Sequence, residues 1–354
     1  MKKILAALLV IGLAVGGAAA GGKTDSKAAG GKAKKWRIAL SNDYAGNSWR
    51  QQMIKDWQAA TAIAKEKGMI ADAPVFTTNE SSAAEQAAQI QNLILEGYDA
   101  IVLNAASPTA LNGAVRKALE AGIVVVSFDN AITEPTAWRL ITDFPFMGSA
   151  EVEFVAKKMQ TGNLLEIRGL AGTYVNDAIH EGITTALKKY PGLKVVGEVY
   201  GNWTQSVAQK EVAGILPSLP QIDAVVTQGG DGYGCVKAFE AAGRKVPLVI
   251  MGNRYDEMEL WKKMKDEKGY ETMSVSIAPG VSTIGFWTAL EILNGTQVPK
   301  EIKLPPLTVS LEKLNEFLSK TEKGGVASIN YPQSWVQELI GNAKAGKPMP
   351  ADPK

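Results

Sequence analysis

Asparagine, aspartate, arginine and tryptophan recur in this chain at one kind of place, directly after a short apolar run. The run 37–40 is followed by a loop that holds Tyr44, Asn47 and Trp49. Asn104 stands in the run 100–105, and Asp129 and Asn130 follow 123–128. In the second half Asn176 and Asp177 open a helical stretch, Trp203 follows 193–200, Gln228 and Asp231 follow 223–227, and Asn253 and Arg254 follow 247–252. Asp, Asn and Arg present paired acceptors or donors in one plane, which suits hydroxyls that both donate and accept. Aromatic rings stack on apolar C–H faces. The chemistry implied is recognition of a small polyhydroxylated molecule. At any single position a helix cap or turn explains such a residue equally well. The recurrence of Asn104, Asp129 and Asn253 at equivalent ends in both halves is what points to binding. Trp49 also shares a helical face with Met53 and Trp57, so it suits a core as well as a pocket.

Catalytic chemistry finds less support. His180 is the only histidine; it follows Asp177 on a helical stretch and reads as a solvated helix residue. The stretch Gly280-Val281-Ser282-Thr283-Ile284 breaks the nucleophile-elbow pattern at its last position. One histidine and one cysteine build no nitrogen/sulfur metal site, so no metal, no cofactor and no catalytic residue is expected. Asp129 with Asp177 as paired carboxylates, in an exported carbohydrate-active enzyme, is the remaining enzymatic alternative. The stretch Gly17–Thr24 matches a phosphate-loop pattern but lacks the strand-to-helix setting that the loop needs.

These residues must be positioned by the elements that precede them. Runs of Val- and Ile-rich residues such as AIVLNA (100–105) and IVVVSF (123–128) suit strands buried on both faces. Between them, Trp49, Met53, Trp57, Ala60 and Ala64 fall at helical spacing, as do Leu111, Val115 and Leu119. Gly68, Gly97 and Gly122 close successive helices. The βαβ rhythm runs to about residue 144 and then restarts. That predicts an α/β protein with two doubly wound parallel-sheet lobes. With 354 residues, 46% hydrophobic and 21% charged, the chain has apolar material for two cores.

The N-terminus has an export pattern: Lys2 and Lys3, an apolar run from Ile4 to Val15, then Ala18-Ala19-Ala20. The run is short for a membrane span. Residues 21–35 read as a basic flexible tether. The lone cysteine, Cys235, lies far from the cleavage region, so a periplasmic protein without a lipid anchor is expected. A formal charge of +2 gives no reason to expect nucleic acid as a partner.

From about Trp36 to residue 310 the chain resembles the ribose/galactose-type periplasmic solute-binding proteins of ABC importers, the type I family. The resemblance rests on EQAAQIQNLILEGYDAIVLNAAS (85–107), KALEAGIVVVSFDN (117–130), LLEIRGLAGTYVNDAIHEGI (164–183), IDAVVTQGGDGYGCVKAFEAAG (222–243) and VIMGN (249–253). Regulators of the lac-repressor type share this fold but begin with a helix-turn-helix, where this chain has the export pattern. The resemblance implies lobes of 36–144 plus 279–305 and of 145–278 plus 306–342, with a tail at 343–354. It places three hinge crossings near Asp143–Phe146, Ala278–Gly280 and Leu304–Leu307. It implies a monomer that closes on a sugar or polyol and delivers it to an ABC permease in the inner membrane; a sensor that presents ligand to a chemoreceptor or kinase would share the pocket. It assigns ligand contact to Asn104, Asp129, Trp203 and Asn253, and to Tyr44, Asn47 and Trp49 in the first loop. Asn130 stands where the family carries arginine, Asn176-Asp177 where another arginine is usual, Asn253 beside Arg254 where aspartate is usual, and Gly229-Gly230-Asp231 where Asn-Asp is usual. A different monosaccharide, a deoxysugar or a linear polyol is therefore expected in preference to a pentose.

Overall fold

The computed structural model describes residues 34–353. The expected export segment 1–20 and nearly all of the expected tether lie outside the described residues. The chain begins β1 (Trp36–Asn42), α1 (Ser48–Glu66), β2 (Ile70–Asp72), β3 (Val75–Thr77), α2 (Ala83–Leu95), β4 (Ala100–Asn104), α3 (Asn112–Glu120), β5 (Val124–Phe128) and β6 (Trp138–Thr142). It continues α4 (Phe144–Lys158), β7 (Gly162–Arg168), α5 (Tyr174–Leu187), β8 (Leu193–Tyr200), α6 (Gln205–Ile215), β9 (Ala224–Val226), α7 (Gly232–Ala241), β10 (Leu248–Val249), α8 (Tyr255–Lys268) and β11 (Ser274–Ser276). It closes with α9 (Val281–Leu293), β12 (Glu301–Leu304), β13 (Leu307–Val309), α10 (Leu314–Lys320) and α11 (Gln333–Lys344).

Two parallel sheets organise these elements. The first is seven-stranded, in the order β12-β6-β5-β4-β1-β2 with β3 also on β1, and the second is four-stranded, β10-β9-β7-β8. Every residue of β4 is buried, as its unbroken apolar sequence requires of a central parallel strand covered on both faces. Helices begin on side-chain caps where the sequence places Asn, Ser, Asp or Thr: Asn47 accepts from Arg50 N at 2.9 Å, and Ser82, Asp143 and Thr173 cap α2, α4 and α5. Cys235 is fully buried on α7 and packs as a small apolar side chain. Among the described residues no helix is long and apolar enough to cross a membrane.

The chain leaves the first sheet after β6, returns through β11 into α9, which packs on β5, β4 and α1, and leaves again from β12 into β13. The structure departs from expectation in two ways. First, β11 and β13 pair antiparallel, so the second half is not wholly parallel. Pro305-Pro306 links β12 directly to β13, which then runs back along the path that β11 took outward. Second, the C-terminal helix does not stay with the second half as the boundary at 342 implied. Tyr255 N donates to Gly325 O and Ala327 N to Asn253 O, but Ser328 Oγ then donates to Asp56 on α1, and α11 packs on α9. An additional crossing near 326–331 thus brings the chain back. The expected tail is also tied down, because Trp335 Nε1 donates to Ala351 O at 2.8 Å.

A polar wall facing an apolar wall

A cavity of about 110 Å³ lies between the strand-end loops of the two sheets. On the side of the first sheet its wall is polar. Arg50, from the first turn of α1, sets its Nη2 3.2 Å from Asp43 Oδ1 and 3.4 Å from Asp129 Oδ2. Its Nη1 donates to Asn42 Oδ1 at 3.2 Å, and the guanidinium lies over the rings of Tyr44 and Trp49. Ser81 Oγ donates to Asp43 Oδ2 at 3.1 Å. All these groups except Asn42 line the cavity.

Burial pushes the Asp129 carboxyl up to about 6, with Arg50 opposing that rise. Asp43 is raised for the same reason, again against the pull of Arg50. Asp129 also sits in the left-handed backbone region, with φ of 55°. Two carboxylates and one arginine, nearly dry, form a cluster whose acceptors and donors are fixed before any ligand enters. Beside it Asn130 donates through Nδ2 to Ala105 O at 2.6 Å, while its buried Oδ1 has no hydrogen-bond donor among the described residues.

The opposite wall comes from α4, α5 and the loops after β7, β8 and β9. Met147, Leu170, Val175, Ile179 and Trp203 make up half of it. Its polar members are already engaged. Thr173 Oγ1 donates to Leu170 O and caps α5 through Asn176 N. The Gln228 amide accepts from Gly169 N at 2.9 Å and donates to Asn176 O at 3.0 Å. Trp203 and the preceding Asn202 are both left-handed, with φ of 51° and 53°. Such a pair of non-glycine residues is costly and persists only where its surroundings enforce it. Here Arg254 Nη2 donates to Trp203 O at 2.7 Å, and Gly169 leaves the space that the indole fills.

Of the residues singled out in the sequence, the structure brings Tyr44, Asn47, Trp49, Asp129, Asn130, Trp203 and Gln228 to the cavity. Asn47 is there as a cap, its amide donating to Tyr44 Oη at 2.8 Å and accepting from Arg50 N. Trp49 lines the cavity and also donates to Ile277 O at 2.8 Å.

The others stand behind the walls. Asn104 is fully buried under Asp129 and donates to its Oδ2 at 2.9 Å. Asn253 accepts from Ser276 Oγ at 3.1 Å and so positions a residue of the wall. Arg254 joins Trp203 O and Gly230 O to Ser48 Oγ, the last at 2.8 Å. Asn176 and Asp177 turn instead to Arg168, at 3.4 and 3.3 Å. Asp231 is wholly buried beside Gly201, and burial holds its carboxyl well above the usual range. The same residue types serve contact and support, so strand-end position alone does not separate the two.

His180 is not the solvated residue expected: its Nδ1 lies 2.8 Å from Oε1 of the buried Glu166, away from the cavity. Missed from the sequence were Asp43, in the first loop, and Arg50, in the first turn of α1. Arg50 could have been found three residues after the cap Asn47, on the turn that faces the strand ends. Val175 and Ile179, four apart on α5, carry the spacing of any core-facing helix and gave no separate signal.

Comparison with known proteins agrees with this architecture. Residues 38–297 match the family described as periplasmic binding protein domain. An ABC transporter solute binding protein from Thermobispora bispora superposes with a TM-score of 0.84 at 33% identity, covering 90% of this chain and 99% of its own. The D-ribose/D-allose-binding protein of Pseudomonas aeruginosa is 29% identical over 64% of this chain and 72% of its own length. A xylitol-binding protein of Mycolicibacterium smegmatis is 31% identical over 49% of this chain, and the match spans about half of that relative, 52%. With its two parallel sheets and a cavity between their strand ends, the chain belongs to the periplasmic binding protein domain family.

Proposed function

We propose that this protein is an extracytoplasmic solute-binding protein that captures a monosaccharide or polyol between its two sheets and delivers it, as a monomer, to an ABC permease in the inner membrane. The observation that carries this reading is the buried Asp43–Arg50–Asp129 cluster set across an enclosed cavity from Trp203. The cluster offers fixed acceptors and donors to hydroxyls, and the indole offers an apolar face to C–H groups. A water needs about 10–15 Å³ by the same kind of measure, so the cavity holds on the order of eight waters, close to what a monosaccharide displaces. Relatives named for ribose, allose and xylitol support a sugar or polyol as the ligand class.

On this reading the export segment 1–20 is cleaved and the mature chain is periplasmic. The first lobe comprises 36–144 and 279–305 together with α11, and the second comprises 145–278 and 306–325. Ligand contacts from both walls favour the closed arrangement over an open one. A thermal-shift panel of pentoses, hexoses, deoxysugars and polyols tests it, since a ligand that binds only the native state raises Tm. A clear shift with one sugar class is expected; a flat panel across all of them contradicts the proposal.

A further inference from the structure

The two walls of the cavity differ in kind, and that difference bears on the ligand. Every charged side chain of the cavity comes from the first sheet's side: Asp43, Arg50 and Asp129. The facing wall presents Met147, Leu170, Val175, Ile179 and Trp203; its Thr173 and Gln228 are engaged with backbone groups, and its Ser276 donates to Asn253 Oδ1. A hydroxyl buried against Val175 and Ile179 would lose its water and gain no hydrogen bond from either side chain, which disfavours binding there. A methyl group there would instead be buried among apolar atoms.

Resting on the capture function proposed above, we infer that the ligand is a 6-deoxyhexose. Its ring hydroxyls meet Asp43, Arg50 and Asp129. Its methyl end points to Val175 and Ile179 on α5. Those two residues then set specificity, because each presents only carbon atoms to that end.

The test is titration calorimetry on matched pairs that differ by one hydroxyl, a 6-deoxyhexose against its parent hexose in the gluco, galacto, allo and manno series. In the series that binds, the deoxy member is expected to bind at least tenfold more tightly. Equal or tighter binding of the parent hexose overturns the inference and leaves the capture function standing. Absence of binding by every sugar, pentoses and polyols included, overturns both. Val175→Thr adds a hydroxyl to the wall with little change of volume. It is expected to cut the deoxy preference at least threefold, with Tm of the ligand-free protein shifted by no more than a few degrees. An unchanged preference in a folded Val175→Thr protein also counts against the inference.

Discussion

The indole of Trp203 occupies the space that a side chain at position 169 would need. A Cβ built on Gly169 would stand 2.1 Å from Trp203 Cε2 and 2.5 Å from its Nε1. The glycine at the end of β7 is therefore what allows an aromatic face from the next loop to reach the cavity. Its neighbour on the chain, Leu170, lies on the same wall.

Gly169→Ala should consequently displace the ring without touching any polar group of the first wall. A fall in sugar affinity of at least tenfold is expected by calorimetry, with the protein still folded. Affinity within twofold of the native protein would show that Trp203 is not a contact.

Asp129 gives a prediction with a pH signature. Burial raises its carboxyl from 3.8 to about 6 in the folded state. The folded protein thus holds this proton more tightly than the unfolded chain. Stability is lost as pH rises from about 4 to about 6 and stays lost above that, by roughly 3 kcal/mol for a shift of about two units. Asparagine mimics the protonated form and tolerates the left-handed backbone at this position. Ligand-free Asp129→Asn should therefore be more stable than the native protein by about 1–3 kcal/mol at pH 7.5. That advantage should vanish near pH 4, as followed by urea unfolding. Sugar binding by the native protein should weaken as pH falls below about 6, because the protonated carboxyl loses acceptor capacity.

Arg254 braces the second wall and reaches the first. Arg254→Met leaves Trp203 O and Gly230 O without their donor and removes the bond to Ser48. A loss of about 2–4 kcal/mol is expected for a buried, charged donor of this kind. Ser48→Ala should cost about 1 kcal/mol, and the double variant should cost less than the sum, because the two share one bond.

The C-terminal helix α11 packs on α9. Leu339 is 2% exposed, and Gln333 and Gln337 both donate to Glu291 of α9, at 2.9 and 2.8 Å. Leu339→Ala should cost about 2–4 kcal/mol. Hydrogen exchange should report the loss in α9 before it reports any change in α5; the reverse order would mean that α11 belongs to the second lobe.

How much of this was legible beforehand follows from what each residue touches. The two-sheet architecture was, because apolar runs and 3.6-residue spacing record burial directly. The polar wall was partly legible, since Asp129 and Asn130 follow a buried strand and have few other places to go. Asn104 and Arg254 misled because a residue that holds a ligand contact needs the same donors and acceptors as the contact itself. Apart from Trp203 the apolar wall gave no signal, since Val175 and Ile179 match the spacing of a core stripe. The side on which α11 packs was also hidden, because an amphipathic helix encodes that it is buried and not against what.

The central claim is that a sugar is held between the Asp43–Arg50–Asp129 cluster and Trp203. A crystal structure of the protein with the strongest binder of the sugar panel tests it most directly. The account predicts a ring in the cavity, a hydroxyl within hydrogen-bonding distance of Asp129, and C–H groups against the Trp203 indole. A ligand bound elsewhere, or one in the cavity that touches neither Asp129 nor Trp203, would contradict it.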